Sequence, residues 1–174
     1  MIRKLMAGVL LASLAITAIA PAVASAASSK DIVQRVAQLN RGTGQFDTLL
    51  AAATCDYFGG AIADALANTQ GITLSAPTDG AFGKLGLDKE NVCDAFAGDA
   101  AVLADILTYH VIPAVVTYRE AVTAIGSDVT MLNDEPAAVT GRAGSLRIDG
   151  ARVIVPNLPA SNGLIHVVSS VLLP

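Results

Sequence analysis

Apolar residues recur at helical spacing up to His110 and switch to strict alternation after Val111. Ile32, Val33, Val36 and Leu39 fall on one helical face, and Ser28 with Asp31 three positions on reads as the cap of that helix. Arg41-Gly42-Thr43-Gly44 interrupts the pattern, and Phe46, Leu49, Leu50 and Ala53 resume it up to Cys55. A short helix is expected over residues 61–66, after Gly59-Gly60. Residues 72–76 read as a strand, punctuated by Pro77-Thr78-Asp79. Thr78 is then placed to cap a helix that carries Ala81, Phe82 and Leu85 and stops at Gly86. Two more helices are expected over residues 91–96 and 99–110. On the second of these, Val102, Leu103, Ile106, Leu107 and His110 share a face.

The second half alternates. Strands are expected over residues 115–118, 129–132, 137–140, 145–148, 152–155 and 164–172. Asn133-Asp134, Gly141, Asp149-Gly150 and Asn162-Gly163 separate them, and Asp149-Gly150 between two alternating runs is the strongest hairpin signal. Helices crowd the first half and strands the second, so the fold class is α+β, with helices packed on a mostly antiparallel or mixed sheet. There is no internal repeat and no long linker, and residues 27–174 read as one domain.

Residues 1–26 change the picture. Arg3 and Lys4 precede an apolar run over residues 5–20, Pro21 breaks it, and Ala24-Ser25-Ala26 follows as a small-residue cleavage site. A membrane anchor is the competing reading, but a spanning helix needs roughly 20 apolar residues and this run is shorter. The expectation is an exported protein, secreted or periplasmic and not embedded in a membrane. Losing Arg3 and Lys4 takes the 11 basic residues to 9 against 15 acidic ones, a net charge near −6. A mildly acidic chain without a Lys/Arg cluster repels phosphate backbones, so nucleic acid is not expected as a partner. Trp is absent and aromatics make up 4% of the chain, which argues against sugar-stacking platforms and aromatic cages.

Cys55 and Cys93 are the two cysteines, an even number in a chain expected to reach an oxidising compartment. A disulfide is the first reading and a pair of buried thiols the second. Neither lies in a C-x-x-C pair and the chain has two histidines, so no metal site is expected. His110 lies on an apolar helix face and His166 within the apolar run Leu164-Ile165-His166-Val167-Val168. Either is a formal candidate for a general base beside a serine. The favoured reading is an imidazole satisfied by backbone groups, since no G-x-S-x-G elbow is present. Asp79, Asp88, Glu90, Asp94 and Asp99 are spread over helix starts, where carboxylates complement the dipole, rather than set closely as calcium requires. No Gly-rich phosphate loop and no cofactor motif is present.

Two segments stand out as candidates for contacting a partner. One is the stretch 157–163, expected to be a stiff loop, with Asn157, Leu158 and Pro159 just after Pro156. The other is Tyr118-Arg119-Glu120, expected to be exposed and polar.

Three stretches carry a family resemblance. They are residues 73–85, TLSAPTDGAFGKL, with Thr73, Pro77, Thr78 and Phe82; residues 107–113, LTYHVIP, with Tyr109 and His110; and residues 151–174, with Asn162, Gly163 and His166 in NGLIHVV. In this order and spacing the chain resembles the fasciclin-like domains of secreted and surface adhesion proteins, and the early helix around Phe46-Asp47-Thr48-Leu49-Leu50 fits as well. The resemblance implies a β-sandwich-like wedge of strands with a helical cap, an adhesion or ligand-binding role, and no catalytic residues. Some animal members are credited with integrin recognition through a Glu-Pro-Asp-Ile-Met segment. The matching positions here, Val155-Pro156-Asn157-Leu158-Pro159, lack both acidic residues, so the resemblance does not extend to that activity. Ala114 also replaces the glycine usual after the central motif's proline.

The resulting expectation is a non-enzymatic module that binds an extracellular or cell-envelope ligand, protein or polysaccharide. A carrier of an apolar small molecule, lipid or pigment, in a pocket between helices and sheet is the alternative. A secreted hydrolase using His110 or His166 ranks last.

Overall fold

The computed structural model describes residues 29–174. The expected signal peptide and the Ser28 cap lie outside the described residues. Helix α1 spans Ile32–Thr43 and is capped by Asp31, whose carboxylate accepts the Gln34 N–H at 2.8 Å. It runs through Arg41 and Gly42 and ends where Gly44 adopts φ +61°, a conformation that glycine enters without a Cβ penalty. Helix α2 (Asp47–Ala53), a 3-10 turn (Asp56–Phe58) and α3 (Ala61–Asn68) follow. Strand β1 (Ile72–Pro77) leads into α4 (Asp79–Gly83), α5 (Val92–Ala95) and α6 (Ala100–Tyr109). The rest comprises β2 (Val111–Ile112), α7 (Tyr118–Thr123), β3 (Asp128–Thr130), β4 (Pro136–Arg142), β5 (Ser145–Ile148), β6 (Ala151–Ala160) and β7 (Gly163–Val168).

The α+β class stands, with the helices packed on one continuous run of hydrogen-bonded strands. All seven pair edge to edge in one mixed sheet, ordered β2-β1-β7-β6-β5-β4-β3. The β1–β7 pair is parallel and every other pair antiparallel. The ten-residue β6 makes this continuity possible. Its first two residues pair with β5, the stretch from Val153 onward pairs with β7, and its register to β7 shifts twice, between Val153, Val155 and Leu158. Such bulges bend a strand and increase its twist, and strands of the one sheet contribute to both cores.

The first core packs Ile32, Val36, Phe46, Leu49, Leu103 and Leu107 of the helices onto Leu74 and Ala76 of β1 and Ile165 and Val167 of β7. The second gathers Met131, Val139, Leu146, Ile148 and Leu172 with Tyr109 and Ile112. β1 is buried along its whole length, as befits a strand with both faces covered.

Several expectations are corrected. Residues 115–117 are irregular, and Tyr118 opens α7, because Thr117 and Glu120 form a capping box. Residues 157–160 belong to β6 rather than to a loop, since they pair with β7 through Leu158, Pro159 and Ala160. β7 stops at Val168, and β3 stops at Thr130. Val102 is 43% exposed and does not share the buried face of α6. Thr78 occupies the N-cap position of α4 without a side-chain hydrogen bond. Its neighbour Asp79 instead accepts the Thr48 N–H at 2.8 Å and the Asp47 N–H at 3.3 Å, capping α2 from another element. Asp149 and Gly150, both at positive φ, form the tight turn between β5 and β6 that the sequence signalled.

Candidate functional site

The irregular segment between β2 and α7 is clamped by side chains from two other elements. Thr73 of β1 donates its hydroxyl to the Ala114 carbonyl at 2.7 Å and accepts the Val116 N–H at 2.8 Å. His166 of β7 meets the Val116 carbonyl through Nε2 at 2.9 Å and accepts the Asn157 N–H at Nδ1, 3.0 Å away. Because Nδ1 must be the acceptor in that pair, the proton sits on Nε2 and the ring is neutral. Burial pushes its pKa below the usual histidine value, against the opposing effect of the Val116 carbonyl.

Asn157 extends the clamp. It holds φ +58° at the bulged part of β6, a conformation asparagine tolerates better than most residues, and its Oδ1 accepts the Tyr118 N–H at 2.8 Å. The Tyr118 hydroxyl in turn accepts the Gly144 N–H at 2.8 Å, reaching the β4–β5 hairpin. Two segments 39 positions apart in sequence, both singled out as candidates for partner contact, thus meet at one hydrogen bond. Asn157 and Arg119 are exposed; Tyr118 and Pro159 are half-buried; and Leu158 packs partly against the first core.

Beneath this clamp lies a cleft of about 210 Å³ between α7 and the sheet. Its walls include Ile112, Val116, Ala121, Val139 and Ile148, with His166 among them and Glu120 and Asp128 as the charged lining residues. Among the described residues, the first core holds spaces of about 30 and 40 Å³. A wider hollow of about 310 Å³ runs beside the Cys55–Cys93 bridge and is lined in part by Asp56, Tyr57 and Asp94.

The remaining signature residues hold elements to one another. His110 is buried; its Nδ1 lies 2.7 Å from the Ile106 carbonyl and its Nε2 accepts the Leu172 N–H at 2.9 Å. That fixes a neutral Nδ1–H tautomer, opposite to that of His166, and burial lowers its pKa to about 4. Asn162 accepts the Ile32 N–H at 2.9 Å and donates to the carbonyls of Leu66 and Thr69, joining the start of α1 to the end of α3. At Gly163 any Cβ would overlap the Ile72 carbonyl oxygen, so the close approach of β1 requires glycine. Tyr109 donates to the Pro136 carbonyl at 3.0 Å, Phe82 is buried in the first core, and Pro77 ends β1 opposite Val168. Burial, then the nearby Asp149 carboxylate, raises the Tyr109 pKa.

Cys55 and Cys93 form a disulfide across a Cα separation of 5.6 Å, tying the end of α2 to α5. Ser75 sits in register with His166 on the adjoining strand, fully buried, its hydroxyl without a hydrogen-bond partner among the described residues. Both nitrogens of both imidazoles are already engaged with backbone groups, which leaves neither ring poised to take a proton from that hydroxyl. Among the described residues no group of three or more His, Cys, Asp or Glu side chains is arranged to hold a metal ion, and no single helix is long and apolar enough to cross a membrane.

The helix-starting Thr117-x-x-Glu120 pattern was open to a sequence reading. The roles of Thr73, Asp79 and Asn157 were not, because each serves a segment at least 31 positions away.

Comparison with known proteins places these features in context. The family model described as Fasciclin domain matches residues 44–174. Uncharacterized protein sll1735 of Synechocystis is 33% identical over 129 residues, covering 74% of this chain and 90% of that protein. Immunogenic protein MPB70 of Mycobacterium bovis is 30% identical over 107 residues, 62% of this chain and 52% of its own length. Among solved structures, a FAS1 domain pair from the insect cell adhesion molecule fasciclin I superposes with a TM-score of 0.64 at 21% identity. The match covers 84% of this chain and 52% of that one, and it shows a shared fold.

Proposed function

This chain belongs to the fasciclin domain family, and from that premise we propose that it is an exported, non-enzymatic module that binds an extracellular or cell-envelope ligand, a protein or a polysaccharide. In this reading residues 1–26 are a cleaved signal peptide and residues 27–174 act as one domain, secreted or periplasmic. A disulfide fits that destination, since such bonds persist in oxidising compartments. The printed names of its relatives point the same way, one an immunogenic protein and one solved relative a cell adhesion molecule.

The observation that carries the proposal is the Tyr118–Asn157 junction. It presents Asn157 and Arg119 to solvent where the Asn157 N–H donates to His166 and the Tyr118 N–H donates to the Asn157 side chain. A surface ordered in advance loses little entropy on binding. Leu158 and Pro159 support that surface from within the sheet. Catalysis by His110 or His166 would need a ring nitrogen released from its backbone partner, so the hydrolase reading stays last.

The test is retention of a ligand from the organism's own envelope extract by mature protein displayed in many copies, since a small domain gains avidity by clustering. A retained protein or polysaccharide that is lost on Arg119→Glu, with thermal stability unchanged, is the expected result. Failure to retain anything from envelope, matrix protein or polysaccharide preparations would overturn the proposal. The carrier reading draws on one further observation, the apolar cleft beneath α7.

A further inference from the structure

Charge divides this chain unevenly. Every acidic residue except Asp149 precedes residue 136, whereas Arg142, Arg147 and Arg152 all follow it. Spaced along the sequence, the three arginines form no visible run, but the sheet gathers them. Strands β4, β5 and β6 turn Val139, Ile148 and Ala151 into the second core, so the alternate residues lie on the opposite, outward face. There Arg147 stands directly opposite Arg152 across the β5–β6 pair. Arg142, paired with Ser145, is the diagonal neighbour of Arg147 on β4. All three arginines are exposed.

Like charges directly opposite each other on neighbouring strands destabilise a sheet, and no carboxylate relieves this one. Among the described residues the ion pairs join Lys89 to Asp47 and Glu90, and none reaches these arginines. Arg147 donates one N–H to the Gly150 carbonyl at 2.8 Å and keeps its other donors. No described residue receives a hydrogen bond from the guanidinium of Arg142 or Arg152. Within the strands the one carboxylate is Asp128 of β3, opposite Ala138 and two strands away from Arg147. The face continues from the Tyr118–Asn157 junction, since the Tyr118 hydroxyl accepts the Gly144 N–H at the β4–β5 turn.

We propose that this arginine face binds an anionic polysaccharide, with the three guanidinium groups receiving its carboxylates. The proposal rests on the binding-module reading and names the class of its envelope ligand. Guanidinium groups hold carboxylates through paired, charge-assisted hydrogen bonds. A protein partner would draw its affinity from aromatic and apolar anchors at the centre of the interface, and Thr140 and Ser145 flank the arginines instead. A nucleic-acid single strand stacks its bases on aromatic side chains, which these strands do not carry. An anionic bilayer is broad and meets the acidic remainder of a chain of net charge near −6. A narrow polymer touches the arginine face alone, with the more distant carboxylates screened.

The probe is a polygalacturonate oligosaccharide, and its methyl ester is the uncharged counterpart on the same backbone. Each is titrated into mature protein while backbone amide signals are followed by NMR. The acid is expected to bind with a dissociation constant on the order of 1 mM at about 50 mM salt. Binding should weaken about tenfold at roughly 200 mM salt, and the shifts should centre on residues 140, 142, 145, 147 and 152. The ester should cause no such shifts. Arg147→Gln with Arg152→Gln should weaken binding roughly fivefold and leave thermal stability unchanged or raised, because the opposed charges are gone. Equal binding of acid and ester, no binding at several times the expected constant, or unaltered binding by the double variant would overturn the proposal. Tighter binding of oligothymidylate or of phosphatidylglycerol vesicles than of the acid would overturn it as well. Retention of an envelope ligand by the double variant would overturn this assignment and leave the binding-module reading standing; loss of that retention supports both.

Discussion

The two cores that share the sheet are built by different means. The first is closed by aliphatic side chains from the helices and fastened by a covalent bridge; the spaces among those side chains are about 30 and 40 Å³, and a hollow of about 310 Å³ opens beside the bridge. The second is closed by short strands and a six-residue helix, and hydrogen bonds from Thr73, His166 and Asn157 hold its covering segment, with a cleft of about 210 Å³ beneath. Close packing gives rigidity but leaves no room for an occupant. Polar clamps fix a segment while leaving space beside it. The helical half therefore reads as foundation, and the α7 half as the one with an apolar space behind a polar-clamped segment.

The sharpest way to break this division is at the strand both halves use. Gly163→Ala drives a Cβ into the Ile72 carbonyl and displaces β7 from β1, so both cores suffer. A loss above about 4 kcal/mol is expected, or failure to fold, read by urea denaturation.

Replacing Cys55 and Cys93 with alanine tests the foundation alone. Joining positions 38 apart, the bridge contributes about 4 kcal/mol on the chain-entropy view. The loss should appear in denaturation, and hydrogen exchange should show α2 and α5 loosening before β4 and β5.

Acid tests the polar clamps. The His110 pKa falls from 6.5 to about 4 on folding, so between those values the unfolded chain holds the proton and the native chain does not. Stability is complete above pH 6.5 and is lost as pH falls through about 4, by roughly 3 kcal/mol from His110. His166, shifted in the same direction, adds to the loss. Denaturation midpoints measured from pH 7 to pH 4 should fall, and His110→Phe should flatten the slope.

The smallest effect sharpens the contrast in packing. Ala124→Leu places apolar volume in the cleft and should raise stability by about 1 kcal/mol. A comparable enlargement of fully buried Ala52 in the closed first core should destabilise instead.

The helical half was largely legible in the sequence, because period and punctuation act over a few residues. α1, α2, α6 and the β5–β6 turn fall close to where spacing and Asp149-Gly150 put them. The α7 half was legible in parts. Alternation located β4 and β5, but it also read residues 115–117 as strand and residues 157–160 as loop. Both errors have the same source. Residues 115 and 116 have apolar side chains, but the segment's geometry is set by Thr73 and His166 from other strands. Pro156 and Pro159 argue for a loop, yet a strand that is itself bulged tolerates them. The cleft left no trace in the pattern, because an absence of packed atoms has no letter of its own.

The most direct test of this division is amide NMR of mature protein titrated with soluble extract of its own envelope. The expected result is perturbation over residues 116–124 and at Asn157, with the signals of α1 and α2 unmoved. Perturbation centred on α1 and α2 while the α7 side stays silent would contradict it.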